Sequence, residues 1–188
     1  MTGLHRHVPV NVPPGEHYVT TRDDVVITTV LGSCVAACIR DPVARIGGLN
    51  HFMLPSSETG VWGGTTGSLR YGNFAMERLV NEILKRGGRR SRLEIKVFGG
   101  GDVLGGSAPI GHLNADFVEW YLRAEGMPIA ASAMRGFSAR RVRYFPTTGK
   151  ALVRELAMRD VRMPLAEEAA YRSAIDHAPV EADIELFN

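Results

Sequence analysis

Two side chains in this sequence could act together on an acyl group. Cys34 lies in Leu31-Gly32-Ser33-Cys34, and His51 in Asn50-His51-Phe52-Met53-Leu54-Pro55. An imidazole that removes a thiol proton makes a thiolate, and a thiolate is the nucleophile of covalent hydrolysis. Gly32 lets the backbone turn sharply and approach a ligand closely. Free N–H groups near Cys34 could hold the oxyanion of a tetrahedral intermediate. Both residues also have an ordinary reading. A cysteine in an apolar stretch is commonly a small buried hydrophobe, and that is the reading for Cys38, between Ala37 and Ile39. A single histidine in a strand is commonly a structural residue.

The chemistry turns on the elements that position these two residues. Val25 to Val30 is β-branched and reads as a strand, interrupted by Leu31-Gly32-Ser33. Val35 to Arg40 reads as a second strand and Ile46 to Leu54 as a third. Asp41-Pro42-Val43-Ala44 is a turn between them, with Pro placed early to preset φ. With residues 41–44 as the loop, 40 faces 45 and 34 faces 51. Directly opposed Cβ atoms lie roughly 4.5–5.5 Å apart, close enough for one proton transfer. A slip of two residues keeps the pair diagonal on one face. A slip of one sends them to opposite faces.

The rest of the chain supplies the scaffold. Residues 1–20 read as an extended lead-in, with His5 and His7 in a solvated terminus. Residues 55–72 read as a long loop of the kind that often serves as a lid or binding surface. Asn73 to Arg86 has apolar residues at helical spacing and stops at Gly87-Gly88. A second helix runs from Asn114, read as its N-cap, to Glu125. Leu93–Phe98, Pro128–Met134, Arg141–Phe145 and Ala151–Leu156 read as strands, the last two joined at Thr147-Thr148-Gly149-Lys150. Strands in runs with two inserted helices argue an α+β fold. From Asp160 onward acidic residues outnumber basic ones seven to two. That stretch reads as a peripheral acidic extension, residues 158–188, following a domain of residues 1–157, with a short helix near Glu167–His177.

Composition narrows the function classes. With 188 residues, 45% hydrophobic and 22% charged, this is an ordinary globular domain. A net charge of +2 gives no nucleic-acid signature, and Arg89-Arg90 and Arg140-Arg141 lack interleaved aromatics. No stretch approaches the ~18 apolar residues of a membrane span. Two cysteines make no disulfide framework, so the expectation is a cytoplasmic protein with reduced thiols. Cys34, Cys38 and His51 do have zinc-finger-like spacing. The fourth ligand would fall on Pro55, Ser56 or Ser57, however, so no metal or other cofactor is expected. Gly99-Gly100-Gly101 lacks the lysine and spacing of a phosphate loop and reads as a tight backbone turn.

The blocks around the two residues carry a resemblance. LGSCVAACIRDP and GGLNHFMLP, with T-x5-C before the cysteine, are similar to CheD, a family of bacterial chemoreceptor glutamine deamidases. Arg70-Tyr71-Gly72, Phe98-Gly99-Gly100, Ile110-Gly111 with Asn114, and Arg140 to Tyr144 with Thr148-Gly149-Lys150 resemble further landmarks of that family, over about residues 15–157. Ala133-Met134-Arg135-Gly136 departs from the acidic residue and Gly-Gly pair expected there. The resemblance implies a catalytic set of Cys34 as nucleophile, His51 as general base and Thr28 as third member. It also implies a layered β-sandwich-like core with two main helices, similar to the catalytic domain of cytotoxic necrotizing factor. The implied reaction is conversion of receptor glutamines to glutamates through a thioester, and a glutamyl methyl ester would pass through the same intermediate. The implied partners are the cytoplasmic helical domain of a chemoreceptor and a CheC-type phosphatase. The alternative is a non-catalytic adaptor that docks on either.

Overall fold

The apolar runs on either side of Gly32 enter two different sheets. The computed structural model describes residues 7–55, 67–103 and 109–177. One sheet contains β1 (Val8–Asn11), β3 (Val25–Leu31), β8 (Ala139–Phe145) and β9 (Lys150–Leu156), in the order β1-β3-β8-β9. The other contains β2 (His17–Thr20), β4 (Val35–Asp41), β5 (Ile46–Asn50), β6 (Glu94–Gly99) and β7 (Ile129–Met134), in the order β2-β5-β4-β6-β7. Pairing is antiparallel except at β1–β3 and β6–β7. The lead-in therefore contributes a strand to each sheet, β1 and β2.

The sheets stack face to face, and α1 (Gly67–Lys85) and α2 (Ile110–Ala124) cover the free face of the second. Ile27, Leu31, Cys38, Leu49, Val142 and Tyr144 fill the space between the sheets. Ile39, Val97, Met76, Leu79, Phe117 and Val118 fill the space between the second sheet and the helices. A strand in the middle layer is buried on both faces, so it reads as a continuous apolar run. That is β4, where Val35 through Ile39 are all fully buried. Each such Val or Ile contributes about 1.5–3 kcal/mol relative to exposure.

The architecture is the expected layered α+β fold, with differences in detail. The first helix starts at Gly67 rather than Asn73, so residues 67–72 of the expected long loop are helical, while its residues 56–66 lie outside the described residues, as does His5. Gly72 sits inside that helix because a Cβ there would come within 2.4 Å of the Phe117 ring. His7 is not simply solvated, since its ring meets Phe145 edge-on at 4.9 Å. There is also a third long helix, α3 (Arg162–His177), in the acidic stretch. It packs Tyr171 and Ile175 against the inter-sheet core.

The β4–β5 register differs from the expected one by two residues. Asp41 pairs with Ile46, Arg40 with Gly47 and Cys38 with Leu49, and Val35 bridges Phe52 in the same register. The loop is 42–45 rather than 41–44. The Asp41 side chain explains the slip. Its Oδ1 accepts the N–H groups of Val43 and Ala44 at 2.9 and 3.0 Å, the local bonding that Asp offers a turn following it. Its Oδ2 accepts from Arg89 N and from the Arg92 guanidinium at 2.6–2.9 Å. Arg45 then takes a left-handed φ of 54° to close the loop. A slip of two preserves side-chain parity, so positions 34 and 51 remain on the same face as diagonal neighbours.

Burial alone would raise the Asp41 carboxyl, but the bonds from Ala44, Arg92, Arg89 and Val43 outweigh it and hold it at about 2. A carboxyl depressed on folding contributes stability above its unfolded value of 3.8, and that contribution is lost as pH falls towards 2. Asp41→Ala should cost about 3 kcal/mol in urea unfolding at neutral pH, because it removes the shared acceptor of several part-buried donors, the Arg92 guanidinium among them. The difference from wild type should shrink as the medium is acidified through that window.

Candidate active site

Gly32, Ser33 and Cys34 form the crossing from β3 in one sheet to β4 in the other. All three of their carbonyls are tied to the protein body. Gly32 O accepts from Gly101 N at 2.9 Å and Cys34 O from Gly100 N at 2.8 Å. Ser33 O accepts from Asn114 Nδ2 at 2.9 Å. The glycine cluster is thus a backbone clamp on the cysteine loop. Gly99 has a φ of 108°, and a Cβ there would lie 2.2 Å from Cys34 O, so only glycine fits. Asn114 is not an N-cap, since α2 begins four residues earlier at Ile110. It is fully buried, and its Oδ1 also accepts Leu54 N at 2.9 Å. One amide therefore holds the cysteine loop beside the segment that follows His51.

His51 is fixed through both its backbone and its ring. Its N–H donates to Glu16 O at 2.9 Å and its carbonyl accepts from Gly15 N at 2.7 Å. Ring Nδ1 lies 2.9 Å from Thr29 Oγ1 and 3.1 Å from Val12 O. The Thr29 hydroxyl donates its proton to Val12 O at 2.8 Å. The network therefore assigns the ring proton to Nδ1, and Nε2 carries the lone pair. Nε2 is buried and has no hydrogen-bond partner among the described residues. Burial lowers the His51 pKa, opposed by the charge of Glu168 and the bond to Val12, so the imidazole is neutral and basic at Nε2.

The structure brings Cys34 and His51 together and adds Glu168. The Cys34 sulfur, a His51 ring nitrogen and a Glu168 carboxylate oxygen lie within 4.8 Å of one another. Thr28 is not part of this group. Successive residues of a strand face opposite ways, and Thr28 pairs with exposed Arg143 and lines a depression with Asn11, Arg141 and Arg143 on the outer face. The hydroxyl on the imidazole belongs to Thr29. Cys38 is buried in the inter-sheet core, and burial pushes its thiol far up. Cys34, His51 and Glu168 are the side chains here that could hold a metal among the described residues. Cys38 does not join them, so the zinc-finger-like set is not formed.

Sequence reasoning missed Thr29, Asn114 and Glu168. Strand alternation from the buried Leu31 could have selected Thr29 over Thr28. Nothing local marks Glu168. Its Oε1 accepts Gly32 N at 2.7 Å, and its Oε2 accepts Ser33 N and Ser33 Oγ at 3.0 and 3.1 Å. These contacts cross more than 130 positions of sequence. Burial first, and then the Glu168 charge and hydrogen bond, push the Cys34 thiol well above its usual value.

Comparison with known proteins places these residues in a family. A family model described as CheD chemotactic sensory transduction matches residues 53–155, just past His51. The chain is 56% identical over 180 residues to "Probable chemoreceptor glutamine deamidase CheD" of Rhodopseudomonas palustris (strain BisA53), covering 96% of this chain and 84% of that one. It is 52% identical to the protein of that name in Cupriavidus metallidurans, covering 95% and 84%. The Xanthomonas campestris pv. campestris (strain B100) protein is 48% identical, covering 90% and 85%. The crystal structure of Bacillus licheniformis hypothetical protein YfiH shares 14% identity, covers 65% of this chain and 50% of that one, and has a TM-score of 0.34, too low to bear on fold or function.

A histidine whose pKa falls on folding contributes stability above its unfolded value of 6.5, and that is lost as pH drops through 6.5 towards the folded value. The stability advantage of wild type over His51→Gln should therefore narrow between pH 7.5 and pH 5 in urea titrations, at about one proton's worth of slope at most. A pH-independent difference would show that the ring is not held neutral.

Proposed function

Because this chain belongs to the CheD family, we propose that it hydrolyses glutamine side-chain amides of chemoreceptors to glutamates, releasing ammonia. The observation that carries the reading is the convergence of the Cys34 thiol and a His51 ring nitrogen at the Gly32–Cys34 crossing, with Nε2 unpartnered among the described residues. The substrate comes from the name shared by the curated relatives, of whose length the chain spans 84–85%. The reaction belongs in the cytoplasm, on the helical cytoplasmic part of the receptor. No described helix is long and apolar enough to cross a membrane.

His51 Nε2 takes the thiol proton, and the Cys34 sulfur attacks the glutamine δ-carbon. Charge develops on the amide oxygen, where backbone N–H groups of the crossing loop lower the barrier. The tetrahedral adduct collapses as the imidazolium gives its proton to the departing nitrogen, which leaves as ammonia. His51 then deprotonates a water that attacks the thioester, and the thiolate departs and regains a proton. A glutamyl methyl ester follows the same route with methanol as leaving group. Thr29 takes the third role in place of Thr28: it positions the ring, and its hydroxyl keeps the proton on Nδ1 so that Nε2 stays a base.

Mass spectrometry of receptor fragments tests this. Wild type should convert glutamine to glutamate, and Cys34→Ala should not; conversion by Cys34→Ala at the wild-type rate would end the proposal. Thr29→Val should lower kcat by about 10- to 100-fold with little change in KM, as loss of an orienting partner does. Thr28→Val should stay within about twofold of wild type, because this half-buried side chain lies on the outer face of β3, away from the chemistry.

A further inference from the structure

The Gly32–Cys34 loop is built so that its acceptors face the protein and its donors face outward. Gly101, Asn114 and Gly100 occupy the carbonyls of Gly32, Ser33 and Cys34. The N–H groups of Gly32 and Ser33 and the Ser33 hydroxyl point the other way, and all three end on the Glu168 carboxylate at 2.7–3.1 Å. Convergent peptide N–H groups of this kind form an anion-binding concavity. The same carboxylate lies 3.9 Å from His51 Nε2 and within 4.8 Å of the Cys34 sulfur. A γ-carboxylate between a nucleophilic thiol and its base, held by backbone donors, is the group that glutamine hydrolysis leaves behind. Glutamine differs from it only by an amide nitrogen in place of one oxygen.

Resting on the glutaminase reading above, we propose that α3 is an intramolecular product mimic: Glu168 occupies the seat of the substrate's side-chain carbonyl, the Gly32 and Ser33 N–H groups are the donors of that seat, and turnover requires α3 to withdraw. Three further observations support it. Cys34 and His51 are 0% and 2% exposed, so a glutamine of another protein cannot share the seat with Glu168. The carboxylate also favours the protonated thiol, which suppresses the nucleophile while α3 is docked. Finally, the helix is lightly held. Its one fully buried residue is Glu168 itself, while Leu165, Tyr171 and Ile175 are half-buried. A helix serving only as a brace would put apolar side chains there, since a buried carboxylate carries a desolvation cost that only good hydrogen bonds offset.

The test uses the full chain with Glu168→Ala, Glu168→Gln and Tyr171→Ala. Tyr171 packs on Gly15, so its loss loosens α3 without touching the seat. Iodoacetamide labelling near neutral pH should accelerate at Cys34 by about tenfold or more in Glu168→Ala and Tyr171→Ala, a tenfold rise corresponding to one pKa unit of thiolate. Cys38, the internal reference, should stay slow. Wild-type labelling rates at Cys34 in both variants would overturn the proposal, whatever happens to activity. In Glu168→Gln the introduced amide sits where substrate is inferred to sit. It should revert to glutamate in the purified protein, seen as a return to wild-type mass with release of ammonia, and should persist when Cys34→Ala is added. Faster labelling and faster receptor conversion with a persistent amide would overturn the mimicry and leave α3 a simple cover. Faster labelling with no receptor conversion by any variant would instead sink the glutaminase reading while the occlusion stands.

Discussion

Everything at the candidate site depends on how the chain crosses from one sheet to the other at Gly32–Cys34. Such a crossing breaks both ladders, so its peptide groups need other partners. Here the carbonyls are satisfied by Gly100, Gly101 and Asn114. That choice fixes the direction of the peptide planes. A trans peptide sets its N–H opposite its C=O, so with the Gly32 oxygen turned inward the Ser33 N–H of the same plane faces Glu168. The Gly32 N–H, which belongs to the preceding peptide, ends on the same carboxylate. The glycines at 99–101 serve the same end, since a side chain at Gly99 would run into Cys34 O.

The histidine reaches the cysteine through parity rather than through direct opposition. Asp41 moves the β4–β5 turn along by one residue at each end, so the pairing slips by two. Two is the slip that keeps the same face inward. The ring is then oriented by a threonine of the other sheet, so both sheets must be in place before the imidazole is held beside the thiol. Burial keeps the imidazole neutral, which suits a base, and the same burial disfavours the thiolate. A site this dry favours proton transfer over a standing charge.

The acidic helix changes the electrostatics of that site. Without Glu168, the crossing loop presents two free N–H groups beside a neutral imidazole and a thiol. With it, the donors are occupied and the thiol is held protonated. The contact links the stretch after β9 to the loop before β4 that carries Cys34.

Much of the fold was legible in the sequence because local rules govern it. Alternation and β-branched runs located β3, β4, β6, β8 and β9, and helical spacing located α1 and α2. Cys34, His51 and Gly32 stood out because few residue types can do that chemistry. The choice between Thr28 and Thr29 was within reach of strand alternation, yet it needed to be known which face of β3 meets the second sheet. The slip at Asp41 turned on a competition between a side-chain carboxylate and two candidate loops, which residue types alone do not resolve. Asn114 and Glu168 were out of reach, because each acts through hydrogen bonds to peptide groups far away in sequence. The sequence by itself determined which groups could react and the layered α+β class that holds them. Only the tertiary structure decided which face each group took and what occupied the donors beside Cys34, because those depend on contacts between elements that no local pattern encodes.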